Sequence, residues 1–340
     1  MFQRLVVPLD GSKYAERAIL VAARIARVTS STIIFVRAVL PPVDLGKYAA
    51  PHTRAWERHA YENERAESAS YLASLILKYA RELDGIDVEV GVATGIAPDA
   101  ICSVAEAEQA DLIVMCSRGE KGLQRWLFGS VTQEVARKTS VPLLALYPQS
   151  VVMPVSCQDA PLRTVVVLDG SSQAESALLP AATVLAGLAA PGQGILHLLR
   201  VVGPSIKAGK SRMRADTSAQ ERAIQETEDY LKMIANRVRQ NHPIAQNLAV
   251  TWSFAISTDV TRAIIQQVES ARSIEHASND PLLAVARERR KGFRSFLKGD
   301  ILESLTGSTQ LPLLLVPLQA PRDHIGVRGR KGNFSEWRWN

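Results

Sequence analysis

The chain repeats itself. Arg4-Leu-Val-Val-Pro-Leu-Asp-Gly-Ser12, followed by Ala15-Glu16, returns as Arg163-Thr-Val-Val-Val-Leu-Asp-Gly-Ser171, followed by Ala174-Glu175. Further on, Ser140-Val-Pro-Leu-Leu-Ala-Leu146 returns as Gln310-Leu-Pro-Leu-Leu-Leu-Val316, with Pro142 and Pro312 in register. Such a repeat constrains the fold more than any single motif, because each copy opens and closes on the same apolar strand. At about 100 to 200 residues per domain, 340 residues accommodate two. The sequence therefore reads as a first domain over 1–148, a linker over 149–162 marked by Pro154 and Pro161, a second domain over 163–318, and a basic tail over 319–340.

Between those ends, short β-branched runs alternate with longer amphipathic stretches, the pattern of parallel βα units. The first copy predicts strands near 4–9, 31–38, 87–93, 111–116 and 142–147. The second predicts them near 164–168, 194–202, 247–255, 281–286 and 312–316. A helix is expected at about 56–83, where Leu72, Leu75, Ile76 and Tyr79 fall at i, i+3, i+4, i+7. Five strands joined by helices imply, in each copy, one parallel sheet covered on both faces with right-handed crossovers. Ligands of such sheets bind at the carboxyl ends of the strands, where strand order reverses. Ser176–Leu199 carries no charge, but Pro180, Pro191, Gly192, Gln193, Gly194 and His197 interrupt it, so it reads as a buried helix and a strand rather than a membrane span.

Chemistry gathers at two strand ends. After the fourth strand come Met115-Cys116-Ser117-Arg118-Gly119, nine residues, and Gly129-Ser130-Val131-Thr132 opening a helix. A glycine turn leading into a helix N-terminus offers free N–H groups and a positive dipole end to phosphate, and Ser130 and Thr132 add hydroxyls. The plainer alternative is that Gly119 and Gly122 only make the turn and Ser130 only caps the helix. After the first strand, Asp10 is placed to accept a hydrogen bond from a ribose hydroxyl or an adenine amino group, or to cap the helix that starts at Gly11-Ser12.

These residues resemble the universal stress protein family: the opening Val-Pro-Leu-Asp-Gly-Ser-x-x-Ala-Glu, Asp111-Leu-Ile-Val-Met before the turn, the G-x-x-G-x9-G-[ST] loop, and the closing Ser-Val-Pro-Leu-Leu. The resemblance implies two tandem Rossmann-like domains of the adenine nucleotide alpha hydrolase-like kind. For the first it implies a site for ATP or another adenine nucleotide, with or without Mg2+. By position it implicates Pro8, Asp10, Ala38, Met115, Arg118, Gly119, Gly129, Ser130, Val131 and Thr132. Cys116 departs from the pattern, standing where the loop begins with glycine, and its side chain is expected to crowd the ribose or restrict the backbone. In the second copy Ala286, Arg289 and Asp300 stand opposite Cys116, Gly119 and Ser130. A carboxylate where phosphates would lie marks a degenerate site, leaving Asp169 as a helix cap.

Other classes find less support. Net charge is +6, and half of it lies in the tail, where Arg322, Arg328, Arg330, Lys331 and Arg338 outnumber Asp323 and Glu336. Lys207, Lys210, Arg212 and Arg214, and Phe334, Trp337 and Trp339 in the tail, read as a solvated loop and a flexible end rather than a nucleic-acid or membrane surface. Cys102, Cys116 and Cys157 form no metal-site spacing and suit a reducing compartment, and the start of the chain has no signal-peptide pattern, so a cytoplasmic protein is expected. None of the six histidines sits in a nucleophile motif, and His197 reads as a satisfied core residue. The expectation is a stress-response regulator acting through protein partners and not an enzyme. A nucleotide-independent interaction scaffold and, less favoured, a slow ATP hydrolase are the alternatives.

One architectural expectation follows from the last strand of each copy. Val141–Leu146 and Leu311–Val316 are apolar edges that need covering, and a linker makes mutual pairing intramolecular. The copies are expected to form a pseudo-dimer within one chain, with homodimerisation left open. Small-angle scattering should report one compact particle; two freely tumbling lobes would refute this.

Overall fold

A computed structural model describes residues 2–42, 51–117, 129–147, 161–204, 206–207, 214–215, 217–241, 247–274, 280–287 and 311–318. The described chain divides into two compact units, one of 2–117 with 129–143 and one of the residues from 144 to 318. Of the linker reading, all but Pro161 and Leu162 lies outside the described residues, as do the tail 319–340 and the loop segments 118–128 and 288–310.

The first unit runs β1 (Arg4–Pro8), α1 (Lys13–Thr29), β2 (Thr32–Val39), α2 (Pro51–Lys78), β3 (Val88–Thr94), α3 (Ala97–Ala107), β4 (Leu112–Cys116) and α4 (Ser130–Lys138) into the start of β5 (Leu143–Leu146). Its strands lie in the order β4-β1-β2-β3, all parallel, with Val6 opposite Ile34 and Ile113, and Phe35 opposite Val90. Leu5, Val6, Val7, Leu112, Ile113 and Val114 are fully buried, the continuous apolar run expected of strands covered on both faces. On one face α1 meets α2 through Glu16 and Tyr71, and on the other α3 meets α4 through Asp99 and Lys138 at 2.7 Å. The chain steps outward from β1 to β2 and β3 and returns to β4 on the far side of β1. The order therefore reverses between β1 and β4, which opens a crevice at their carboxyl ends.

The second unit runs β6 (Leu162–Leu168), α5 (Ser172–Glu175), α6 (Leu178–Ala189), β7 (Gly194–Val202), β8 (Ile206–Lys207), β9 (Arg214–Ala215), α7 (Thr217–Asn241), β10 (Leu248–Ile256), α8 (Val260–Ile274), β11 (Leu282–Arg287) and β12 (Leu313–Pro317). Its parallel order, β10-β7-β6-β11-β12, reverses in the same way between β6 and β11. The two prolines seen in register in the sequence act alike: Pro142 O accepts from Ile113 N–H at 2.8 Å, and Pro312 O from Leu283 N–H at 3.0 Å.

Departures from the sequence reading are local. The helix expected at 56–83 is Pro51–Lys78; the residues beyond it make turns, with Leu83 N–H donating to Tyr79 O, until Gly85 at φ +73 reverses the chain. In the loop read as merely solvated, Ile206 and Lys207 pair antiparallel with Ala215 and Arg214. His197 is half-buried on a strand face rather than in the core, its ring nitrogens paired with Thr251 Oγ1 at 2.8 Å and Ser253 Oγ at 2.9 Å. The uncharged stretch folds as α6 and β7, and no described helix is long and apolar enough to cross a membrane. Close packing makes the entry to β7 sensitive. A Cβ on Gly194 would stand 2.8 Å from Leu185 Cγ and Cδ1 and 3.1 Å from Leu248 Cδ2. Gly194→Ala should lower unfolding free energy by about 2 kcal/mol in urea titration. Gly203→Ala, with nothing within 4 Å, should change it by less than about 0.5 kcal/mol.

Candidate functional site

The turn from β1 into α1 sets one wall of the crevice. Gly11 sits at φ +89, a conformation costly for residues with a Cβ. Asp10 Oδ1 accepts the Ser12 N–H at 2.8 Å, and Ser12 Oγ accepts the Ala15 N–H at 3.2 Å. The helix cap is therefore Ser12, and the exposed Asp10 serves the turn instead. The same correction applies in the second unit. Ser171 caps α5, Gly170 is at φ +91, and Asp169 Oδ1 accepts from Ser171 N–H at 2.8 Å and Ser171 Oγ at 2.5 Å.

The opposite wall is the end of β4 and the start of α4. Met115, Cys116 and Ser117 are buried, and Gly129 is the residue that leads into α4. Ser117 Oγ accepts the Gly129 N–H at 2.7 Å and so ties together the two ends of segment 118–128. That N–H, which the motif offered to phosphate, is thus engaged. Ser130 does not cap the helix; it is its first residue and is exposed. Unlike α1 and α5, α4 has no side-chain cap, so its first-turn N–H groups beyond Gly129 keep their donor capacity. Thr132, proposed as a second hydroxyl, is buried, and Val131 is half-buried between the two. Pro8 is buried at the end of β1, and Ala38 is half-buried on β2 opposite Ala93. Arg118 and Gly119 lie outside the described residues, as do Arg289, Gly299 and Asp300. Among the described residues, no three His, Cys, Asp or Glu side chains gather as a metal site.

Cys116 ends β4 in strand geometry and is not among the residues at positive φ, so the expected backbone restriction does not arise. Its thiol is within electrostatic reach of the crevice. Burial pushes its pKa up to about 11, with Arg17 opposing the shift and the charge of Asp10 adding to it. The sulfur is therefore a neutral thiol at pH 7, poor as a nucleophile.

Sequence reasoning missed the side chains that hold the β1–α1 turn. Glu16, nearly buried, accepts hydrogen bonds from Lys78, from Tyr79 OH at 2.9 Å and from Tyr71 OH at 3.4 Å. The face of Tyr71 carries the guanidinium of Arg37, 5.2 Å from the ring centroid. Glu175, Tyr230, Arg237 and Arg200 repeat the arrangement: Tyr230 OH donates to Glu175 at 3.1 Å, Arg237 pairs with Glu175, and Arg200 lies 5.0 Å from the Tyr230 centroid. The signal was present, since glutamate and tyrosine stand 55 positions apart in both copies, and glutamate and its cation 62.

With this geometry in view, the relatives are informative. The model of the universal stress protein family matches residues 1–146. A universal stress protein of Methanocaldococcus jannaschii is 30% identical over 148 residues, covering 43% of this chain and 82% of the relative. Another, from Thermus aquaticus, is 32% identical over 145 residues, covering 42% of this chain and 98% of the relative. The chain belongs to the universal stress protein family. Two solved structures share its fold across 93% of the chain. They are a universal stress protein from Archaeoglobus fulgidus (TM-score 0.55, 18% identity, 98% of that chain) and a protein of unknown function from Pseudomonas aeruginosa (TM-score 0.56, 14% identity, 93% of that chain).

The Glu16 cluster sets a pH dependence. Burial raises the Glu16 pKa, but the hydrogen bonds from Lys78, Tyr79 and Tyr71 outweigh it and hold the carboxyl below its usual range. A depressed folded pKa contributes stability above the unfolded value, lost as pH falls through the folded one. Glu16→Gln should therefore cost about 2 kcal/mol at pH 7, and urea titrations should show the gap closing below about pH 4.

Proposed function

We propose that the first unit binds ATP or another adenine nucleotide, with or without Mg2+, and that the protein serves as a stress-response regulator through protein partners. The observation that carries this reading is the uncapped start of α4 at Gly129-Ser130, which follows β4, the strand that neighbours β1 and Asp10 where strand order reverses. Pro8, Ala38 and Met115 supply an apolar floor for the nucleoside, and Asp10 accepts one of its hydroxyl or amino groups. The phosphates rest on the N–H groups of Ser130 and Val131, the Ser130 hydroxyl, and the loop that contains Arg118 and Gly119. Binding is the function, and no general base stands in this reading to activate water.

The second unit serves as a structural or regulatory half, because Arg289 and Asp300 occupy positions that in the first copy are Gly119 and Ser130. A nucleotide-independent scaffold is the second reading. The engagement of Gly129 N–H by Ser117 and the presence of Cys116 where the loop motif has glycine favour it.

Calorimetry on the full chain separates the two. The nucleotide reading expects no more than one ATP per chain, several-fold weaker binding in Asp10→Ala, as loss of about 1 kcal/mol implies, and unchanged binding in Asp169→Ala. Cys116→Gly should tighten binding by completing the loop motif. Absence of ATP and ADP binding, in solution and in protein as purified, would leave the scaffold.

A further inference from the structure

Arg37 and Arg200 are unlike the other arginines whose contacts define the fold. Arg4 donates to Glu89 and Glu108, Arg27 to Glu82 O, and Arg239 to Val250 O. Arg37 and Arg200 are half-buried, yet neither guanidinium donates a hydrogen bond among the described residues. Each lies over a tyrosine ring and packs against a glycine at positive φ. A Cβ placed on Gly11 would stand 3.6 to 3.8 Å from Arg37 Nη1, Cζ and Nη2, and one on Gly170 would stand 2.8 to 3.3 Å from the same atoms of Arg200. Neither contact supplies an acceptor for the guanidinium N–H groups, which pair with phosphate or carboxylate in bidentate fashion. Each guanidinium is also anchored, since its tyrosine is fixed to a glutamate on the first helix of its unit. Little side-chain entropy remains to be lost when an anion arrives.

The position of these guanidinium groups selects the anion. Each arginine packs against the glycine that follows an aspartate, Asp10 or Asp169, and the charge of that aspartate is felt at Tyr71 and Tyr230. A free anion meets a carboxylate as well as a guanidinium there. A ribose that carries both a hydroxyl and a phosphate satisfies the two together: the carboxylate accepts the hydroxyl, and the arginine takes the phosphate. Parallel sheets that bind dinucleotides use the same two side-chain types at the ribose, a carboxylate for a free 2′-hydroxyl or an arginine for a 2′-phosphate. In the first unit the arginine comes from β2, on the opposite side of β1 from α4, so this phosphate is not the one that α4 would hold.

We propose that Arg37 and Arg200 form one oxyanion subsite in each unit, specific for a phosphate on the 2′ or 3′ position of a nucleotide ribose. In the first unit this extends the nucleotide reading and rests on it. In the second it assigns a ligand class to a unit without the phosphate loop: Asp169, Gly170, Ser171, Glu175, Arg200 and Tyr230 reproduce the first unit's turn and its arginine.

The test is calorimetry on the full chain with adenosine, adenosine 2′-phosphate, adenosine 3′-phosphate, ATP and inorganic phosphate. At least one of the two ribose phosphates should bind about tenfold or more tightly than adenosine, at two per chain, with inorganic phosphate much weaker. Arg37→Gln with Arg200→Gln should abolish that gain while leaving adenosine unaffected. Arg37→Lys with Arg200→Lys should keep only part of it, because an ammonium lacks the two-pronged edge. Equal affinity for adenosine and both ribose phosphates, or a gain that survives the glutamine variants, overturns the proposal. If ATP binds while the ribose phosphates show no gain, this inference fails alone. If neither ATP nor adenosine binds but a ribose phosphate does, the nucleotide reading of the α4 site fails while the arginine subsites stand. If nothing binds, both fail.

Discussion

A parallel sheet can present a side chain to its crevice only if the strand is turned into the following helix within a few residues, and in this protein a glycine at positive φ makes that turn in both units. At φ near +90 the chain reverses sharply enough for the next serine to cap the helix and for the preceding aspartate to fold back onto the serine N–H. The absence of a Cβ has a second consequence, because a guanidinium from the neighbouring strand lies against the bare glycine. A substitution at Gly170 therefore meets two obstacles, the backbone conformation and the Arg200 guanidinium, whereas Gly11 leaves ordinary contact distances to Arg37. Helix start, carboxylate position and arginine placement all depend on one conformational allowance.

Two glutamates, Glu16 buried and Glu175 half-buried, extend that constraint outward. Glu16 and Glu175 lie just inside the helices that these turns begin, and each draws a tyrosine and a cation from the next long helix. The nearly buried charge of Glu16 is tolerated because several donors surround it. The result is a continuous chain of contacts in each unit: glutamate, tyrosine, arginine, glycine. This chain of contacts is built alike in the two units, while the sequence of the phosphate loop is not repeated, so its role does not depend on that loop.

Much of the fold was legible in the sequence for a physical reason. Strands buried on both faces must be apolar without alternation, and Leu5-Val6-Val7 and Leu112-Ile113-Val114 announce themselves that way. Pro142 and Pro312 were legible because a strand entrance tolerates a residue without an N–H, and both supply a carbonyl to the neighbouring strand. The site was only half legible. Asp10 and the start of α4 were found from their motifs, but Ser12 rather than Asp10 is the cap, and Gly129 rather than Ser130 leads into α4. Such one-residue assignments depend on backbone angles that residue type leaves open. Ser117 was visible inside the motif, yet its bond to Gly129 joins residues on either side of a loop. The Arg37–Tyr71–Glu16 chain spans three elements and has no local pattern; only a comparison of spacings between the copies could have revealed it.

The proposal that the β1–α1 turn and the uncapped start of α4 form one adenine nucleotide site in the first unit is tested by a crystal structure of the full chain grown with ATP. Density is expected for one nucleotide in the first unit, with the nucleoside against Asp10, Ala38 and Met115, and the phosphates on the N–H groups of Ser130 and Val131. A nucleotide bound away from Asp10, phosphates that do not reach α4, or a first unit left empty at saturating ATP would contradict it.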